Sequence, residues 1–104
     1  MMLLAALLLV QSNATMPEPP LAPVKPIAEL PRDVQRHIRQ YGECQHWLGE
    51  EPTDAARREQ IAAGVRKACR NIDAGGAKLR RRYAANAGVT AALVAYPPLE
   101  ISAN

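Results

Sequence analysis

Apolar residues are spaced differently in successive stretches of the chain, and each spacing predicts a different element. Residues 1–10 form one unbroken apolar run, Met-Met-Leu-Leu-Ala-Ala-Leu-Leu-Leu-Val, followed by Gln11, Ser12, Asn13 and Ala14. Ser12 and Ala14 give the small-x-small pattern of a signal-peptidase site, so 1–14 reads as a signal peptide cut after Ala14. As a helix this run would rise only about 15 Å, half the hydrocarbon thickness of a bilayer, which disfavours a stable membrane span. The rival reading is a buried N-terminal helix, and its argument is that no Lys or Arg precedes the run.

Further along, Val34, Ile38, Tyr41 and then Gln45 or Leu48 recur at helical spacing, interrupted by Gly42. Pro31 suits the opening of that helix, and Asp33 lies near the positive end of its dipole. After the Pro52-Thr53-Asp54 punctuation, Ile61, Val65, Ala68 and Ile72 follow at steps of four, three and four, which predicts a second helix running to Ile72. Asp73 is the candidate cap of a third helix through Leu79 and Tyr83, whose first turn Gly75 and Gly76 weaken. Asn86 caps a last short helix with Val89, Ala92, Leu93 and Tyr96 on one side. A strand over 89–94 is the alternative, but it has no partner strand.

Residues 15–30 are a Pro-rich extended spacer, since Pro17, Pro19, Pro20, Pro23 and Pro26 each remove a backbone donor. A ligand for a proline-recognition groove is its functional alternative. Pro97-Pro98 ends the last helix and leaves 97–104 as a tail. The folded part is thus 31–96, an all-α domain of three to four helices. With four aromatic residues in 104, its core must be built from small aliphatic side chains.

A core so thin needs another support. In an exported chain the two cysteines, Cys44 and Cys69, are most simply one disulfide. The bond sets a geometric condition. Were the first helix to reach Leu48 and turn straight back, Cys44 would face the residues near Arg57, leaving Cys69 about 18 Å away. Either the first helix ends near Gly42, then, or 43–52 runs as an irregular segment along the second helix. Both options make the Cys-Gln-His-Trp-Leu-Gly-Glu-Glu stretch a pinned loop at least in part, the kind of place where binding residues collect.

The chemistry-bearing residues point to contact rather than catalysis. Trp47 with His46 and Glu50 is one contact candidate, and the run Arg80, Arg81 and Arg82 is the other. His37, among charged neighbours, reads as a solvated histidine. Glu50, Glu51 and Asp54 lack a nucleophile or phosphate-loop motif, so they read as helix caps and ion-pair partners of Arg57 or Arg58. No cofactor is implied. A zinc site from Cys44, His46 and Cys69 competes with the disulfide for the same sulfurs. The net charge of +3 is slight and interspersed, which favours a protein or an acidic envelope component over nucleic acid.

The run Cys44-Gln45-His46-Trp47-Leu48-Gly49-Glu50-Glu51-Pro52, followed by Asp54, Arg57, Cys69, Asp73, Leu79, Arg80, Arg81, Arg82, Tyr83 and Ala84, resembles a group of small exported proteobacterial proteins of unassigned function. The progression Cys69, Asp73, Leu79, Tyr83 is similar to the helical domain of the lysozyme-inhibitor LprI family, whose members are exported and disulfide-bearing. This chain has fewer cysteines than that family, and Arg80 stands where an Asn commonly follows the Leu. The resemblance implies an inhibitor-like, periplasmic or secreted binding protein. The alternatives are a structural envelope protein and a metal-binding protein.

Overall fold

The computed structural model describes residues 24–101, so the signal peptide and most of the spacer read from the sequence lie outside the described residues. A single 3₁₀ turn, Ile27–Glu29, leads into four helices: α1 Arg32–Leu48, α2 Ala55–Ala68, α3 Ile72–Arg82 and α4 Ala87–Leu93. The all-α expectation is met, and among the described residues there is no strand. Residues 89–93 lie in helix α4 rather than in a strand, with the Asn86 side chain accepting from the Val89 amide at 3.1 Å as its cap.

Helix α1 organises everything else because its buried residues face two cores in succession. Val34 and Ile38 pack with Leu30, Leu79, Val89, Ala92 and Leu93. One turn further on, Tyr41 and Cys44 pack with Ala68, Cys69 and Ile72. Tyr96 lies against both clusters, its ring edge-on to Tyr41 at 5.2 Å. Leu30 is in the core, so the folded unit takes in the end of the stretch read as spacer.

Of the two alternatives, a first helix that ends near Gly42 does not occur. α1 passes through it, and the position faces open space on the outer side of the helix, where a missing side chain removes no packing. Nor does α1 end early to satisfy the disulfide. The Cys44–Cys69 bond is formed, with Cα atoms 4.8 Å apart, while α1 runs on to Leu48.

The pairing down the α1/α2 interface shows how both hold. The Gln40 side-chain amide donates to the carbonyls of Ala68 and Arg70 at 3.1 and 2.9 Å, Cys44 joins Cys69, Trp47 meets Gly64, and Glu50 meets Arg57. In that register the opening turns of α2 stand beyond the end of α1. The non-helical segment 49–54 carries the chain outward by roughly 10 Å before α2 comes back, at 1.5 Å per helical residue. The irregular stretch therefore begins at Gly49. Cys44, His46 and Trp47, expected in a loop, are on the last turns of a helix instead.

Helix α2 does not reach Ile72. It ends at Ala68, and Asn71 adopts a left-handed conformation with φ 53°, which Asn tolerates better than most residues. Ile72 opens α3 and still packs against Tyr41 and Cys44, so the four-three-four spacing persists across a chain reversal. Asp73 does not cap α3 either. Its carboxylate accepts from the backbone amides of Leu99 and Ile101 at 2.7 and 3.2 Å. Together with the Tyr41 hydroxyl, which donates to the Pro97 carbonyl at 2.6 Å, it straps 97–101 onto the second core. What was read as a loose tail is thus tied to the domain as far as Ile101.

Candidate functional site

At the far end of α1 the side chains form one connected group. His46 Nε2 lies 3.1 Å from one carboxylate oxygen of Glu50, and an Arg57 guanidinium nitrogen lies 3.3 Å from the other. The same guanidinium sits 5.6 Å over the Trp47 ring and donates to the Gln60 side chain at 3.2 Å. The His46 ring stands edge-on to the indole at 5.5 Å. Local sequence explains why these parts converge. Asp54, in extended backbone, accepts the Arg57 amide at 2.7 Å, which starts α2 where Arg57 can reach back across 49–54 to Glu50.

The indole is seated by an absence. A Cβ added at Gly64 would overlap Cδ2, Cε2 and Cε3 of Trp47, so only glycine allows the ring to lie flat on α2. Trp47 is half-buried as a result, and Leu48 beside it stays exposed. The group therefore presents an oriented aromatic edge, an exposed Leu and a charged rim, which is the composition of a protein contact patch.

The arginine run behaves differently. Arg80 turns inward and donates to the carbonyls of Leu93 and Tyr96 at 3.2 and 2.6 Å, tying the end of α4 to α3. Arg82 pairs with Asp33 at 3.4 Å and lies over the Tyr83 ring. Only Arg81 is exposed with no such partner among the described residues. Arg81 and Arg82 are thus the exposed members of the run, while Arg80 is half-buried and engaged with backbone carbonyls.

His37 is also corrected. It is buried on the core side of α1, 7% exposed, against Gly75 and Gly76 of α3. Burial lowers its pKa, the Arg80 guanidinium lowers it further, and Asp73 opposes both. On the neighbouring turn, burial raises the pKa of Asp33, but the Tyr83 hydroxyl, the Val34 amide and Arg82 outweigh it and hold the carboxyl below 3.8. Both groups shape the scaffold.

The metal alternative loses its ligands here, because the Cys44 and Cys69 sulfurs are bonded to each other and His46 is engaged by Glu50. Among the described residues no three His, Cys, Asp or Glu side chains converge on a metal-sized point. Glu50 and Asp54 fill the ion-pair and capping roles read from the sequence. Arg57 as the residue linking Glu50 to Trp47, and Gly64 beneath the indole, were not foreseen. The Trp47-to-Gly64 distance in sequence carries no periodic signal, because the 49–54 excursion sets it.

No family model, curated protein or solved structure matches the chain. Among the described residues no helix is long and apolar enough to cross a membrane.

Proposed function

We propose that the protein is an exported, non-catalytic helical binding module that docks a protein partner through the Trp47 end of α1, in the manner of an inhibitor. The observation that carries this reading is the seated indole. Trp47 is oriented by Gly64 and Arg57, with Leu48 exposed beside it and His46 and Glu50 at its rim. A pre-oriented aromatic side chain loses little conformational freedom on binding, which is why such residues anchor interfaces. Glu50 has both carboxylate oxygens engaged, one by His46 Nε2 and the other by the Arg57 guanidinium, which favours a positioning role over proton transfer.

Export is supported by the apolar run at 1–10 and by the disulfide, a bond suited to oxidising compartments. Lysozyme is the first partner to test, on the strength of the Cys69, Asp73, Leu79, Tyr83 resemblance. Those four residues all serve the scaffold: a disulfide, a strap, a core position and a bond to Asp33. The resemblance therefore speaks for related architecture, and the contact patch supplies the mode of binding.

The packing of Trp47 on Gly64 also favours a second reading, a structural envelope protein in which the indole only stabilises α2. Adding the purified mature chain to a lysozyme lytic assay separates the two. Dose-dependent loss of lytic rate, abolished by Leu48→Glu without change in helicity, is the expected result. An undiminished rate at large molar excess removes the lysozyme assignment. A Leu48→Glu variant that inhibits like the parent removes the Trp47 end as the contact surface.

A further inference from the structure

Toward the other end of α1, the exposed face carries Arg32, Arg36 and Arg39. At about 100° per residue these three fall within an arc of about 60°, on the side of the helix away from Val34, Ile38 and Tyr41. They line one concavity with Gln35 and Ala28. Its second wall is the 3₁₀ turn, held there by the Gln35 side-chain amide, which donates to the carbonyls of Leu30 at 2.7 Å and Ala28 at 3.4 Å.

Charge balance distinguishes this place from the other basic positions that the fold uses. Arg57 and Arg82 have carboxylate partners, and Arg80 is spent on two carbonyls. Among the described residues no carboxylate lies within ion-pair distance of Arg32, Arg36 or Arg39. The nearest acidic residue on the same arc is Glu43, one turn beyond Arg39, and it does not line the concavity. No apolar side chain larger than Ala28 lines it either, so nothing there suits an acyl chain or an aromatic ring. Three like charges within about two turns of helix repel one another, and a multiply charged anion relieves that repulsion. Guanidinium groups match the oxygens of phosphate in paired, planar geometry.

We propose that Arg32, Arg36 and Arg39 form a site for a phosphate group, separate from the Trp47 patch. The phosphate enters between the helix face and the 3₁₀ turn and is held by at least two guanidiniums. This site does not depend on the binding role assigned to the other end of α1. The phosphate can belong to a soluble ester or to a phospholipid headgroup, and both sources present the same oxygens.

The test uses the mature chain with pyrophosphate as probe, followed by titration calorimetry and by amide chemical shifts of α1. Saturable binding is expected, with the largest shifts at 32–39, and Arg36→Gln should weaken it by about tenfold or more. Arg66→Gln removes the same charge from an exposed position on α2 and should leave binding unchanged. Sedimentation with vesicles of phosphatidylglycerol, against phosphatidylcholine alone, identifies the source. Arg36-dependent binding to the anionic vesicles assigns a lipid headgroup, and binding of pyrophosphate alone assigns a soluble phosphate. No saturable binding to either probe, or equal losses in Arg36→Gln and Arg66→Gln, overturns the proposal, since the second outcome shows net charge and no site.

Discussion

Trp47 and Gly64 meet face to face across α1 and α2, with no room between them for a single methyl group. Gly64→Ala should therefore displace the indole. Overpacking costs about 1–3 kcal/mol, and the helix-propensity gain of Ala over Gly, about 1 kcal/mol, offsets part of it. Trp47 is the one tryptophan in the sequence, so its fluorescence reports the event directly. The expected result is a red-shifted emission maximum with a lowered urea midpoint. An unshifted spectrum with a raised midpoint would show that the ring has space the structure denies it.

Reduction of Cys44–Cys69, or the Cys44→Ser/Cys69→Ser pair, frees a loop closed across 25 residues. The chain-entropy relation gives a loss of about 3.5 kcal/mol for a loop of that size, a large share of the margin of a small domain. Calorimetry with and without reductant checks this. Unchanged melting would mean that the α1/α2 pairing stands without its covalent tie.

The pH dependence of stability has a sign fixed by His37. Its folded pKa lies below 6.5, first because of burial and then because of Arg80, so above 6.5 both states are neutral there. Below that value the unfolded chain takes up a proton that the folded chain resists. Stability is then lost progressively as pH falls from about 6.5 toward the folded value. Asp33, held below 3.8, also loses stability on acidification, but only in a lower window. Urea midpoints between pH 8 and 5 should slope downward in the parent and flatten in His37→Gln; an equal slope in both would refute the assignment to His37.

Arg80 and Arg81 adjoin in sequence and should differ in consequence. Arg80→Met leaves the Leu93 and Tyr96 carbonyls without their donor, a loss of about 1–3 kcal/mol. Arg81→Met, at an exposed position, should stay within about 0.5 kcal/mol of the parent. Chemical denaturation of the two variants side by side decides the matter, and equal effects would count against the inward role of Arg80.

The sequence made the start of α1, the α4 helix, the Asn86 and Asp54 caps and the disulfide readable, because periodicity and capping are local properties. Ile72 misled because tertiary packing kept its helical spacing while Asn71 reversed the chain. His37 was readable in principle. It lies three residues after Val34 and four before Tyr41, on the buried stripe, but the charges beside it in sequence drew attention to the wrong side of the helix. Gly75 and Gly76 looked like a weak helix start, yet Gly76 is buried where a side chain would press on His37 and Arg80. At the candidate site the residue types were legible and their assembly was not. Arg57 reaches Glu50 and Trp47 only because 49–54 projects past the end of α1, and no short-range pattern encodes that length.

That projection has a biochemical corollary. Residues 49–54 are the non-helical link between α1 and α2, inside the loop that the disulfide closes, with exposed side chains at Glu51, Pro52, Thr53 and Asp54. A protease that clips there produces two polypeptides still fastened through sulfur, each retaining its share of the second core. Such a nicked molecule would migrate as one species under non-reducing electrophoresis and as two once thiol is added.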